Sequence, residues 1–245
     1  MDDRDLLVEQ QEYYRARASS YERVVDLPGG PVDVAAFLAE RDQVLGAFDA
    51  LDLGADVLEL AGGTGIWTRR IVERRATRAV TVVDSSVEMV TANLSQLGSS
   101  TNTVRFVISD IFAWKPDHSF DSVVFCYWLS HVPESRMESF LDMVASALKP
   151  GGSLFFVDDK APTRPGPPSD PAPTRPGPPS DPAPAGWSAN DDEVRERRTP
   201  EGKIFRIVKR YWEPGDLRDR CARAGLDVAV TETAGLFQYG VGRRA

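Results

Sequence analysis

Between residues 56 and 160 the chain alternates two hydrophobic rhythms. Short apolar runs, "DVLEL" (56–60), "RAVTVVD" (78–84), "TVRFVIS" (103–109), "FDSVVFCYW" (120–128) and "SLFFVDD" (153–159), are rich in β-branched and aromatic residues. Runs of this length and composition predict buried strands. The stretches between them, "GIWTRRIVERR" (65–75), "SSVEMVTANLSQLG" (85–98) and "PESRMESFLDMVASALKPGG" (133–152), space their apolar residues at helical intervals. The second helix has serine near its N-cap and glycine at its end, and Lys149-Pro150-Gly151-Gly152 stops the third. This alternation of strand and helix predicts a parallel sheet with helices on both faces.

Two helices are expected before this region. One runs over residues 4–24. The other starts at Pro31, a favoured first-turn residue, and reaches about Leu51, with Val34, Phe37, Leu38, Leu45 and Phe48 as its buried stripe and Arg41 as the one interruption. Beyond residue 160 the composition changes. "APTRPGPPSDP" at 161–171 is repeated letter for letter at 172–182 and followed by "APAG". Proline at this density excludes regular helix and sheet, so the segment reads as an extended, solvated spacer inserted in a loop. A hairpin turning at Pro200-Glu201-Gly202, a helix over 213–225 and two last strands follow. Together these elements predict one domain over 1–245. It divides into an N-terminal helical lid (1–51), a ligand-binding core (52–160), the proline-rich insertion (161–186) and a C-terminal hairpin, helix and strand pair (187–245).

Composition narrows the function classes. Charged residues are 27% of the chain and the formal net charge is −8, without a lysine/arginine cluster of the kind that tracks phosphates, which argues against a nucleic-acid partner. The pairs Arg69–Arg70, Arg74–Arg75 and Arg197–Arg198 read as solvated faces. "MDDRDLLVEQ" does not resemble a signal peptide, and "AVTVV" and "LFFV" are too short to cross a bilayer, so a cytoplasmic protein with no membrane partner is expected. Two cysteines, Cys126 and Cys221, and two histidines, His118 and His131, form no metal-like spacing.

The chemistry concentrates at "LELAGGTGIW" (58–67), a strand breaking into a glycine turn. A phosphate-binding loop would end Gly-Lys-Ser/Thr, and here the turn ends Gly65-Ile66-Trp67-Thr68 without lysine. A dinucleotide fingerprint needs a third small residue, and counting from Gly63 that position is Thr68. Glu59-Leu60-Ala61-Gly62-Gly63-Thr64-Gly65 instead resembles the first motif of the class I S-adenosylmethionine-dependent methyltransferases, with Ala61 where a glycine is usual. Asp84 closes the second strand 25 residues after Glu59, "VISDIF" sets Asp110 past the third, and "FDSVVFCYWLSHVP" and "LKPGGSLFFVDD" resemble the family's fourth strand and its last helix-to-strand turn.

The resemblance implies a doubly wound, mostly parallel seven-stranded sheet ending in an antiparallel hairpin, the Rossmann-like methyltransferase fold. It also implies S-adenosyl-L-methionine as cofactor and methyl transfer to a small-molecule acceptor, at oxygen or nitrogen rather than carbon. The donor site it implies comprises Tyr14, Tyr21, Glu59, Ala61, Gly62, Gly63, Asp84, Ser85, Met89, Asp110, Ile111 and Cys126. Within that set Asp84 would bind the ribose hydroxyls, Asp110 the adenine amino group, Ile111 a ring nitrogen through its N–H, and Met89 the adenine face. Tyr13, Tyr127 and Trp128 are candidate acceptor contacts, and His131 is a candidate general base because an imidazole ordinarily titrates near neutrality. Two other classes remain open on sequence: a nicotinamide-dependent oxidoreductase, and a non-catalytic adenosyl binder using the proline-rich segment for a partner. Monomer and homodimer are equally compatible with the chain.

Overall fold

The computed structural model describes residues 3–18, 34–161, 194–199 and 201–245. Two helices, α1 (Asp3–Arg17) and α2 (Val34–Asp49), precede the alternating core of β1 (Asp56–Leu60), α3 (Ile66–Val72), β2 (Ala79–Asp84), α4 (Val87–Leu97), β3 (Val104–Ile108), β4 (Phe120–Cys126), α5 (Glu134–Ala147) and β5 (Leu148–Asp159). Then come β6 (Val194–Arg198), β7 (Ile204–Val208), α6 (Pro214–Arg223), β8 (Leu226–Glu232) and β9 (Phe237–Arg244). Tyr21 and the repeat, apart from Ala161, lie outside the described residues.

Seven strands form one sheet in the order β3-β2-β1-β4-β5-β9-β8. The first five are parallel, and β9 runs antiparallel between β5 and β8. One face is covered by α5 and α6 through Met137, Phe140, Leu141 and Leu217, all buried against Phe125, Leu154 and Phe156. The other is covered by α2 and α3 through Phe48 and Ile71 against Val57, Val124 and Phe155. The chain winds outward from β1 to β3 and then crosses to β4 on β1's other side. This reversal leaves a crevice beyond the carboxyl ends of β1 and β4, where an open α/β sheet takes its ligand.

The expected stripe on α2 is corrected in part. Val34 is 64% and Leu38 38% exposed, while Val44, Phe48 and Glu40 are buried. Glu40 turns inward because the β8–β9 turn needs an acceptor: its carboxylate takes the Thr233 hydroxyl and, at 2.8 Å, the Leu236 amide. These bonds hold the Glu40 carboxyl below its ordinary range although burial opposes them.

The β6–β7 ribbon stands apart from the main sheet, and α1 lies along the free edge of β7. Glu9 accepts the Arg206 amide at 2.6 Å and pairs with its guanidinium, and Gln10 Oε1 accepts the Val208 amide at 2.9 Å. Tyr13, Phe205 and Ile207 form a small buried cluster at this junction. The result is a roof above the crevice, α1 buttressed by the ribbon.

Candidate active site

The chain leaves β1 through an unusual backbone. Ala61 has φ of 54° and Gly63 φ of 53°, both left-handed. Alanine in that region costs about 1–2 kcal/mol, so the surroundings must hold it there. Beneath the turn a Cβ on Gly62 would collide with Val82 Cγ1, and one on Gly65 would collide with the Asn93 amide. A buried chain of hydrogen bonds completes the floor: Asn93 Nδ2 donates to Thr68 Oγ1 at 2.7 Å, and Thr68 donates to Glu59 Oε2 at 2.6 Å. Burial, with the Asp84 charge nearby, pushes the Glu59 carboxyl up to about 8.

The turn delivers the Gly63 amide to Asp84 Oδ2 at 2.9 Å, and the Ser86 amide meets Asp84 Oδ1, also at 2.9 Å. The carboxylate still has acceptor capacity for a hydroxyl of a bound diol. Burial raises the Asp84 carboxyl above its usual range, which donors from a ligand would offset. Ser86 caps α4 by accepting the Met89 amide at 3.1 Å, which sets Met89 over the crevice.

Asp84 opens on a pocket whose wall contains Ala61, Gly63, Ser85, Met89, Asp110, Ile111, Cys126, Tyr127, Trp128, His131 and Tyr14. At its far end Asp110 Oδ1 accepts the Phe112 amide at 3.0 Å, leaving Oδ2 toward a ligand. Among the described residues the Ile111 amide meets no acceptor, although Ile111 is buried. A buried N–H without a partner is what a ring nitrogen would satisfy. A diol acceptor at one end, an acceptor and a donor side by side at the other, and Met89 between them suit an adenosyl group. Burial, reinforced by Glu59, raises the Cys126 thiol well above its ordinary value, so it contributes a neutral wall.

His131 follows β4 in a short 3₁₀ turn (Leu129–His131) and reaches the pocket as expected, but its chemistry differs from that of a base. Its Nδ1 donates to the Val208 carbonyl at 2.7 Å, which leaves Nε2 to accept the Tyr14 hydroxyl at 2.6 Å. Burial, then the Lys209 charge, pushes the imidazole down to about 3. It is neutral and engaged on both nitrogens, so the expectation of a base poised near neutrality does not fit. His131 instead ties α1 to the sheet: its carbonyl also accepts the Gln10 amide at 3.2 Å.

Glu59 and Gly62, also expected in the donor set, lie under the turn rather than in the pocket wall. Tyr13 is also corrected: it is buried edge-on between Tyr14 and Phe205, and its hydroxyl takes Arg17 Nη1 at 2.8 Å. Tyr127, with φ of 55°, and Trp128 do line the pocket. Sequence reasoning missed Leu7, Gln10, Gln11, Ser86 and Phe112, which line it too. Leu7, Gln10, Gln11 and Tyr14 follow the three-and-four spacing of one helical face. That helical spacing, read back from Tyr14, is the signal in the sequence that could have found Leu7, Gln10 and Gln11.

Comparison with known proteins agrees with this geometry. Residues 57–152 match the family described as methyltransferase domain. The solved structure titled "DhpI-SAH complex structure" is 31% identical, with a TM-score of 0.74 over 98% of this chain and 97% of that one. A second, "DhpI-SAM-HEP complex", is 31% identical with a TM-score of 0.75 over 97% of each chain. Among curated relatives, the demethylmenaquinone methyltransferase of Tropheryma whipplei (strain Twist) is 34% identical over 112 residues, 45% of this chain. The ubiquinone/menaquinone biosynthesis C-methyltransferase of Hahella chejuensis is 32% identical over 117 residues, 46% of this chain. The matches span 44% and 46% of those two relatives, less than half their length.

Two outcomes follow. Asp84→Asn, which keeps one acceptor oxygen, should lower S-adenosylhomocysteine affinity about tenfold or more by calorimetry, since a charge-assisted hydrogen bond is worth about 1.5–3 kcal/mol; a folded variant that binds like the parent removes the ribose assignment. Glu59→Gln tests the floor. A carboxyl raised from about 4.5 to about 8 in the folded protein takes up a proton on folding, so stability should fall as pH rises from about 5 to about 8. Denaturant titrations should show a shallower fall for Glu59→Gln, and identical slopes would mean that Glu59 is not buried as a neutral acid.

Proposed function

Since the chain belongs to the class I S-adenosylmethionine-dependent methyltransferases, we propose that it methylates a small molecule at oxygen or nitrogen inside the roofed crevice. The cofactor, S-adenosyl-L-methionine, supplies a methyl group already activated by its sulfonium charge. What the protein must add is alignment of acceptor and methyl carbon and exclusion of water, the proximity contribution to catalysis. Asp84 and the Gly63 turn would hold the ribose, Asp110 and the Ile111 amide the adenine edge, and Met89 its face. Tyr14, fastened to His131, closes α1 over them. Tyr127 and Trp128 stand where an acceptor would enter beside the donor.

The observation that carries this reading is the closure. Leu7, Gln10, Gln11 and Tyr14 form part of the same wall as Asp84 and Asp110. A donor site roofed by the chain's own helix suits a compact acceptor rather than a nucleic-acid duplex, and the net charge of −8 points the same way. Carbon methylation, named in some relatives, is the second reading. A carbon acceptor must lose a proton, and the pocket's histidine is not set to take one.

The test is incubation with methyl-labelled cofactor and a library of small metabolites, read by mass spectrometry. Label on an oxygen or nitrogen of a small product is the expected result. Label confined to carbon, or to protein or nucleic acid, contradicts it.

A further inference from the structure

The pocket wall follows the sheet. Asp110 stands just past β3, Asp84 ends β2, Gly63 lies past β1, and Cys126 and His131 belong to the exit of β4. These four strands are neighbours in the order β3-β2-β1-β4, and neighbouring strands lie about 4.8 Å apart. An adenosyl group with its adenine at Asp110 and its ribose at Asp84 and Gly63 therefore carries its sulfur, one carbon beyond the ribose, toward the exit of β4. That sulfur is a cation in S-adenosyl-L-methionine and neutral in S-adenosylhomocysteine. The inference here rests on the donor site proposed above.

A cation away from bulk water needs an acceptor. The wall's two carboxylates among the described residues, Asp84 and Asp110, belong to the ribose and the adenine, and burial keeps the Cys126 thiol protonated. Gln10 is committed at both ends, to the His131 carbonyl and the Val208 amide. Tyr14, in the same wall, is set up differently. His131 Nδ1 can only donate to the Val208 carbonyl, 2.7 Å away, so the neutral ring must accept at Nε2, where the Tyr14 hydroxyl gives its proton at 2.6 Å. The reverse bond would need a doubly protonated ring, and burial, then the Lys209 charge, push the imidazole down to about 3. The two rings meet edge-on with centroids 5.3 Å apart, which fixes the phenol. A phenol oxygen has one proton and two lone pairs. With the proton turned to His131, what Tyr14 offers a ligand is an acceptor alone.

We propose that Tyr14, turned by the positioning residue His131, reads the charge on the cofactor's sulfur and so distinguishes the methyl donor from its product. The phenol oxygen faces the sulfonium and the polarised C–H groups beside it as long as the methyl group is present. When the methyl group passes to the acceptor, the electron pair of the broken C–S bond stays on sulfur, the charge is gone and the contact loses most of its strength. Such a contact holds the reactant as firmly as the transition state, so it does not lower the barrier. It decides which form of the cofactor α1 closes over. Because Tyr14 is part of α1, methyl transfer itself loosens the roof above S-adenosylhomocysteine.

The test is calorimetric titration of the full chain with S-adenosyl-L-methionine, with S-adenosylhomocysteine, and with sinefungin, which carries an ammonium in place of the sulfonium methyl. Tyr14→Phe keeps the ring and removes the oxygen. It should weaken the two cationic ligands about tenfold relative to S-adenosylhomocysteine. His131→Leu leaves the Tyr14 hydroxyl free to turn its proton toward the ligand and should shift the ratio the same way. His131→Gln, which offers a carbonyl acceptor, should restore part of it. If His131→Leu does not fold, the ratio in Tyr14→Phe decides alone. A ratio unchanged in Tyr14→Phe, with the three ligands weakened equally or not at all, means that Tyr14 serves only as roof and overturns the inference. Failure of the parent to bind any of the three overturns the donor site, and this inference with it.

Discussion

The site depends on the left-handed backbone at the end of β1. Left-handed Ala61 sits in a turn with no room beneath it: Gly62 lies against Val82 and Gly65 against Asn93 so closely that neither position could carry a Cβ. The turn is thus pinned from below, and its consequence above is that the Gly63 amide points at Asp84. The strain of one left-handed alanine, about 1–2 kcal/mol, is set against the buried hydrogen-bond chain beneath the turn, Asn93 to Thr68 to Glu59. A second left-handed residue, Tyr127, marks the exit of β4. The two strands that flank the switch point are therefore the two whose exits carry strain, as expected where a ligand must approach the backbone closely.

The roof depends on the opposite device, a group kept neutral. A protonated His131 would face Lys209 across a buried space and could not accept from Tyr14. With the ring neutral, one imidazole joins β7, the 3₁₀ turn after β4 and α1. Gln10 repeats the connection, donating to the His131 carbonyl and accepting the Val208 amide. The same burial that disqualifies His131 as a base makes it a firm anchor, so its place in the pocket and its unsuitability for proton transfer have one cause.

The core was legible because its signals are local. Solid apolar runs, a serine cap on α4 and a proline–glycine stop after α5 each specify an element without reference to distant residues, and the order of elements then dictates the sheet. The resemblance to the methyltransferase motifs then set Asp84 at the end of β2, Asp110 just past β3 and Met89 in α4, and all three line one pocket. What was not legible depended on partners far along the chain. Glu40, outside the apolar stripe expected on α2, is buried because Thr233 and Leu236, more than 190 residues away, supply its donors. His131 looked like a base because its sequence neighbours say nothing of Val208, Lys209 or Tyr14.

A pinned turn below and α1 above should enclose one ligand. Amide hydrogen exchange on the full chain, with and without saturating S-adenosylhomocysteine, tests it directly, since binding raises the cost of local opening wherever the ligand is enclosed. The account predicts slowing of at least about tenfold both in the turn at residues 61–65 and along α1, residues 3–17, with little change at Gly151 and Gly152 on the opposite end of the sheet. Protection of the turn with α1 unaffected would contradict it.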